Sequence, residues 1–241
     1  MRLQIALRTI YPPECLACGA LVDQEFALCP SCWSETPFIL GAACDLCGAA
    51  LPGQADASDD LICDECRRVE RPWKHGRAVW EYRGLARQMV LGLKHGDRAD
   101  IARAAGPWLA RAAGDLIKPD TALVPVPLHP FRLWRRRYNQ SALLVQALAR
   151  SSGAVPMVDG LIRTRSTPSL DGKSGDERFA LMDGAIAPNP KRRAEFADRT
   201  ILLVDDVMTS GATLAAATAA ALGAGARHVC VIVLARVAKD A

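Results

Sequence analysis

The stretch TILLVDDVMTSGAT, residues 200–213, decides how the chain reads. It opens with the aliphatic run Ile201-Leu202-Leu203-Val204. An apolar run of that length, bounded by turn signals, predicts a buried strand of a parallel sheet. Asp205 and Asp206 follow at once, where the carboxyl end of that strand should lie. Ligands of open parallel sheets sit just outside such ends. Thr209, Ser210, Gly211, Ala212 and Thr213 then lead into LAAATAAALGAGA, which reads as helix. A Ser/Thr/Gly loop opening a helix presents unpaired N–H groups and the positive end of the helix dipole, a cradle for phosphate. Gly211 lets the backbone come close and adopt φ > 0. The reading requires both carboxylates to be open and the loop amides to face an opening.

Acids for hydroxyl groups beside a nest for a phosphate match the two ends of a ribose 5-phosphate. The segment resembles the phosphoribosyl pyrophosphate (PRPP) motif of type I phosphoribosyltransferases. The resemblance implies that Asp205 and Asp206 hold the ribose 2- and 3-hydroxyls and that Thr209, Ser210, Gly211, Ala212 and Thr213 hold the 5-phosphate. It also implies Mg²⁺ bridging pyrophosphate and ribose hydroxyls, in keeping with that ion's preference for oxygen ligands and substrate phosphates.

The length, 241 residues, fits one large or two modest domains, and half of the residues are hydrophobic, ample for a core. The net charge of +4 is unevenly placed: residues 1–70 balance at −7 and residues 71–241 at +11. That asymmetry argues for two units with different partners, the basic one suited to phosphate-rich ligands, nucleotides or nucleic acid. The opening MRLQIALRTI is too short for a secretory signal and carries Arg8; it reads as a short amphipathic helix. The longest uncharged run, 207–226, is too rich in Thr, Ser, Gly and Ala for a membrane span. A soluble, cytoplasmic protein is the expectation.

Eight of the nine cysteines form four CxxC pairs: Cys15/Cys18, Cys29/Cys32, Cys44/Cys47 and Cys63/Cys66. Two sulfurs of one tight turn reach one metal, and two such knuckles complete a tetrahedral site, so two structural Cys₄ zinc sites are expected. Gly19 and Gly48 follow the second sulfur of their knuckles, where φ > 0 is often needed. Sequential ligation is the simplest pairing; an interleaved one fits the spacing too. Disulfides do not suit a cytosolic chain, thioredoxin-like chemistry uses one CxxC, and iron–sulfur clusters usually show other spacings. Such closed sites fold a region too small for a core of its own. Cys230, in VCVIVL, reads as a core residue. A double zinc ribbon module over 1–72 and a larger α/β domain over 73–241 follow, with Arg71-Pro72 as linker and 54–60 a polar loop.

In the larger part, RAVWEY (77–82) reads as a strand, 85–94 and 97–113 as helices, the second broken or restarted at Pro107, and TALVPVP (121–127) as a strand ending at its prolines. His95 reads as part of a helix end. Arg132, Arg135, Arg136 and Arg137 crowd the segment after that strand, a candidate grip for pyrophosphate or a solvated helix face. Asn139 reads as the cap of a helix over 141–150. The Ser/Thr/Gly/Pro-rich run 163–183 predicts a mobile loop, of the kind that closes over a reaction centre, in which Arg165, Lys173 and Arg178 are candidates for pyrophosphate contact. The run Lys191-Arg192-Arg193 reads as surface charge or a nucleic-acid contact, and 227–237 as the last strand.

The VPVP strand, the basic stretch and the triplet Tyr138-Asn139-Gln140 resemble the ComF family, which joins N-terminal zinc ribbons to a phosphoribosyltransferase-like domain, with the parts in this order. Members commonly have Gly where this chain has Arg137. The resemblance implies a type I phosphoribosyltransferase-like parallel sheet flanked by helices and a PRPP ligand. It further implies a link to DNA uptake in natural transformation, with a DNA-uptake helicase as a partner. Two readings stand. One is a PRPP-binding protein that handles single-stranded DNA, with Trp134 and Tyr138 amid arginines able to stack on bases. The other is an active transferase of ribose 5-phosphate to an acceptor, for which Thr209 is a poor general base.

Overall fold

The computed structural model describes residues 11–53, 61–168 and 172–237. The amphipathic reading of the first ten residues and the polar loop at 54–60 lie outside these. The elements, in chain order, are α1 (Pro30–Glu35), α2 (Asp64–Arg68), β1 (Gly76–Glu81), α3 (Gly84–His95), α4 (Ala99–Ala113), β2 (Ala122–Pro125), α5 (Pro130–Arg136), α6 (Gln140–Ser152), β3 (Val155–Pro156), β4 (Leu161–Arg163), α7 (Gly175–Met182), β5 (Ile186–Pro188), β6 (Thr200–Met208), α8 (Ala212–Gly223) and β7 (His228–Arg236).

Five strands form a parallel sheet in the order β1-β7-β6-β2-β3, and β4 pairs antiparallel with β5 beside it. The central strand β6 is buried on both faces, and its alternation sorts two cores. Ile201 and Leu203 face one core, with Val229, Val231 and Val233 of β7 and Leu214 and Ala217 of α8. Leu202 and Val204 face the other, with Ile232 and Leu234 of β7 and the apolar sides of α3, α4 and α6. α6 follows β2 onto one face, while α8 follows β6 onto the opposite face. The connections therefore diverge between β2 and β6, and a crevice opens at their carboxyl ends.

The expected break at Pro107 does not occur: α4 runs through it. The expected loop at 163–183 contains α7, fixed by a capping box in which Ser174 and Glu177 satisfy each other's backbone amides. The basic segment after β2 is in part a helix, α5, which carries Arg132 and Arg136.

The two ribbons straddle the edge strand β1. Ile39 donates to Val79, and Glu81 donates to Pro37, so the chain between the ribbons covers β1's open edge. The first ribbon meets an aromatic cluster, with Phe38, Trp80 and Trp108 stacked edge-on or tilted at 5.4–6.0 Å between ring centroids. The second ribbon contributes Cys44, Cys47 and Cys66 to the core that backs β6. The stretch read as a linker is anchored rather than loose: Arg71 is 7 % and the adjoining Trp73 3 % exposed, while Pro72 between them is exposed.

Candidate functional site

At the end of β6 the two acids differ in surroundings. Asp205 accepts a hydrogen bond from Ser141 Oγ at 2.8 Å and from the Asp206 amide at 2.9 Å. Burial, and then the neighbouring Asp206 carboxylate, push its pKa up to about 7. Asp206 is only 7 % exposed, and Lys94 Nζ lies 3.3 Å from it. The requirement that both carboxylates stand open is met only partly, since a ligand reaching Asp206 must draw Lys94 aside.

Beyond the acids the backbone turns at Gly211, whose φ of +84° makes it the left-handed cap of α8. Among the described residues no acceptor takes the amides of Thr209, Ser210, Gly211 or Thr213, and Ala212 donates weakly to Ser210 Oγ at 3.4 Å. Unpaired donors at the start of a twelve-residue helix form an anion-binding end. Thr209 and Ser210 border a pocket of about 370 Å³ that Lys173, Ser174, Gly175 and Arg178 close from the α7 side. The Arg178 Nε is buried without a partner among the described residues.

The triplet Tyr138-Asn139-Gln140 acts as a buckle. Tyr138 Oη donates to the Leu93 carbonyl at 2.7 Å, and Gln140 Nε2 reaches the Lys94 carbonyl at 3.4 Å. Both carbonyls end α3 and lack helical partners. Asn139 caps α6 through the Ser141 amide and donates to the Val126 carbonyl after β2. One tripeptide thus sets Lys94 and Ser141, which touch the acids among the described residues.

Lys94, His95, Asp97, Arg132, Arg136 and Arg137 line a second pocket of about 400 Å³. Arg137 sits at φ +65°, the left-handed conformation that favours glycine. Arg132 also donates to the Thr167 carbonyl at 2.8 Å. Arg135 lies on α5; its side chain is outside the described set. Arg165 is turned elsewhere, capping α7 through the carbonyls of Leu181 and Asp183 at 3.0 and 2.8 Å. Sequence reading missed Lys94, Ser141 and Arg163. The last is 9 % exposed and bonded to Thr167 Oγ1; burial lowers its pKa, the Arg132 charge adds to this, and Asp205 opposes it. No local motif marks these three. They reach the acids only once α3, α6 and β4 are placed.

In the N-terminal part, Cys15, Cys18, Cys29 and Cys32 form one cluster and Cys44, Cys47, Cys63 and Cys66 another, with every sulfur within 4.8 Å of the others in its set. Separations of 3.7 Å for Cys18–Cys29 and 3.6 Å for Cys47–Cys63 suit the edge of a sulfur tetrahedron around zinc, about 3.8 Å for bonds of about 2.3 Å. Backbone amides support the sulfurs, Cys29 to Cys15 at 3.2 Å and Cys63 to Cys44 at 3.4 Å. The sulfurs group sequentially rather than interleaved, and each set offers four sulfurs, the donor set of a closed structural zinc site.

A parallel sheet with this site at its switch point, preceded by two Cys₄ ribbons, is the architecture of a phosphoribosyltransferase-like protein with a double zinc ribbon. The double zinc ribbon domain family matches residues 6–67, and the phosphoribosyl transferase domain family matches residues 139–241. The chain is 30 % identical over 207 residues to DNA utilization protein YhgH of Salmonella typhimurium, covering 83 % of this chain and 80 % of that protein. It is 29 % identical over 208 residues to competence protein F of Haemophilus influenzae, covering 83 % and 87 %. With competence protein ComFC of Bacillus subtilis the identity is 28 % over 196 residues, covering 80 % and 77 %. The chain belongs to the ComF family. Among solved structures, glutamine PRPP amidotransferase from B. subtilis is similar at a TM-score of 0.40 and 17 % identity, over 60 % of this chain and 30 % of that one, too loose to bear on function. Among the described residues no helix is long and apolar enough to cross a membrane.

Proposed function

We propose that the chain binds PRPP in the crevice between β2 and β6. Asp205 and Asp206 take the ribose hydroxyls, and the amides of Thr209, Ser210, Gly211, Ala212 and Thr213 take the 5-phosphate. Lys94, Arg132, Arg136 and Arg137 take the pyrophosphate, with Lys173 and Arg178 approaching from α7. The observation that carries the reading is the meeting, at one topological switch point, of paired acids, unpaired loop amides and a basic pocket. Lys94 would change partners on binding, from Asp206 to the pyrophosphate. Mg²⁺ fits the oxygen donors of the acids and of the ligand's phosphates. Isothermal titration with PRPP and Mg²⁺ tests this: Asp205→Ala/Asp206→Ala should bind at least tenfold more weakly than wild type, and equal affinity would refute the assignment.

Turnover is the less favoured reading. Thr209 is a poor general base, and among the described residues no carboxylate lines the pocket between α7 and the loop. A transferase would release pyrophosphate only when its acceptor is added.

The relatives' names, competence and DNA utilization proteins, support a role in DNA utilisation, and one surface favours direct contact with single strands. Trp134 is 80 % and Phe131 65 % exposed, side by side on α5 with ring centroids 6.5 Å apart, Arg132 between them in sequence and further arginines directly after. Exposed rings amid cations stack on bases and follow a phosphate backbone. Tyr138, also considered for stacking, is occupied in the buckle. Trp134→Ala should weaken oligo-dT binding about 5- to 100-fold, the cost of about one stacked base, and leave PRPP affinity unchanged. Unaltered oligo-dT binding would remove the surface from the proposal.

A further inference from the structure

We propose that the second thiolate cluster and the phosphate loop form one mechanical unit, joined by Arg71, Glu65 and Arg236, so that metal occupancy at Cys44, Cys47, Cys63 and Cys66 sets the shape and anion affinity of the loop. The inference deepens the PRPP reading and rests on it for the identity of the anion.

Two buried guanidiniums stand behind the loop. Arg71 Nε donates to Cys66 Sγ at 3.4 Å, its Nη2 to Glu65 at 3.2 Å, and its Nη1 to the Ser210 carbonyl. Arg236, the last residue of β7, donates through Nη2 to Glu65 at 2.6 Å and through Nη1 to the Thr209 carbonyl at 2.8 Å. Their side chains are 0 % and 2 % exposed. Glu65 and Cys66 are neighbours on α2, so a single turn of the ribbon holds both arginines.

The geometry explains why the loop's donors point outward. A peptide's carbonyl and N–H lie on opposite sides. Fixing the carbonyls of Thr209 and Ser210 toward the arginines turns the following amides, those of Ser210 and Gly211, the other way. The fit is tight: a Cβ on Gly211 would meet Arg71 Nη1 at 2.7 Å and the Trp73 ring at 3.0 Å. Buried cations persist only where acceptors surround them. A metal-bound cysteine is a thiolate, a better acceptor for Arg71 than a free thiol, and the metal ties α2 to the opposite knuckle. Without it, Glu65 and Cys66 lose their anchor, and the arginines lose their hold on the loop. By reciprocity, an anion in the loop must strengthen metal retention at this cluster. The first cluster makes no such link among the described residues and serves as the control.

The test is amide hydrogen exchange of residues 209–213 in the full, zinc-loaded chain without ligand, combined with zinc release to a chromophoric chelator. In Arg71→Met, loop exchange should quicken at least tenfold while two zinc equivalents remain bound and the exchange of β6 and β7 is unchanged. Arg71→Lys, which can reach one acceptor but not three, should fall between. Cys18→Ser, in the first cluster, should leave loop exchange at the wild-type rate. PRPP with Mg²⁺ should slow zinc release from the second cluster several-fold in wild type and not in Arg71→Met. Wild-type loop exchange in Arg71→Met, or equal quickening in Cys18→Ser, overturns the coupling. If PRPP does not bind wild type, the PRPP reading fails, and the ligand-free exchange comparison still decides whether the cluster and the loop are coupled.

Discussion

Asp205 binds its proton more tightly in the folded chain than in an unfolded one. Burial and Asp206 hold it at about 7, against an ordinary value of 3.8. Its contribution to stability is therefore fully present below pH 4, declines as the pH rises towards 7, and is lost above. Because the side chain is half-buried, the cost of the charge at pH 8 is on the order of 2 kcal/mol. Asp205→Asn should raise the melting temperature at pH 8 and leave it unchanged at pH 4, as thermal unfolding at the two values would show. PRPP–Mg²⁺ affinity of the wild type should fall as the pH drops below 7, because a protonated Asp205 is a poor partner for Mg²⁺ and a hydroxyl. Arg137 offers a second residue-level check. Glycine there relieves the left-handed backbone, so Arg137→Gly should gain roughly 0.5–1 kcal/mol in denaturant unfolding while losing affinity for pyrophosphate. The acids and the loop were legible because strand, carboxylates and Gly211 are contiguous. Lys94, Ser141 and Arg163 were not, because only the sheet's topology brings them near.

Among the elements, β6 and β7 were readable from the apolar runs 201–204 and 229–234, since a central parallel strand is buried on both faces, although β6 runs on through Asp205 and Asp206 to Met208. α7 was not, although its signal was present: Ser174 and Glu177 stand at capping-box spacing, but Gly172, Gly175 and the surrounding charges favoured a loop reading. Pro107 misled in the other direction, because a helix packed along its length against α6 tolerates the missing donor. The docking of the second ribbon on β1 makes the sharpest element-level prediction. Gly48 has φ +70°, and a Cβ there would lie 2.4 Å from the Ala78 amide nitrogen and 2.6 Å from the Arg77 carbonyl carbon. Backbone cannot yield as a side-chain tip can. Gly48→Ala should cost more than about 2 kcal/mol and shift the resonances of β1, whereas Gly19→Ala, with open space around its Cβ, should cost only the strain of its positive φ.

Across the whole molecule, the charge asymmetry that suggested two units with different partners has in part an internal meaning. Acidic Glu65 and Asp45 of the ribbon half pair with Arg71, Arg236 and Arg77 of the basic half. The cysteine clusters were legible from spacing alone, but their contribution to the main core was not, because Cys44, Cys47 and Cys66 are far in sequence from Ile201 and Val231 yet share a core with them. This bears on whether 73–241 can stand by itself. Cutting after Pro72 removes the chain that covers the edge of β1, uncovers Trp80, now 0 % exposed, and takes away Arg71 and Glu65 behind the phosphate loop. Residues 73–241 alone should therefore bind a hydrophobic dye, self-associate through the open strand edge and melt well below the full chain. The full chain should carry two zinc equivalents by metal analysis. A monomeric 73–241 with the melting temperature of the full chain would show that the ribbons are appended rather than built in.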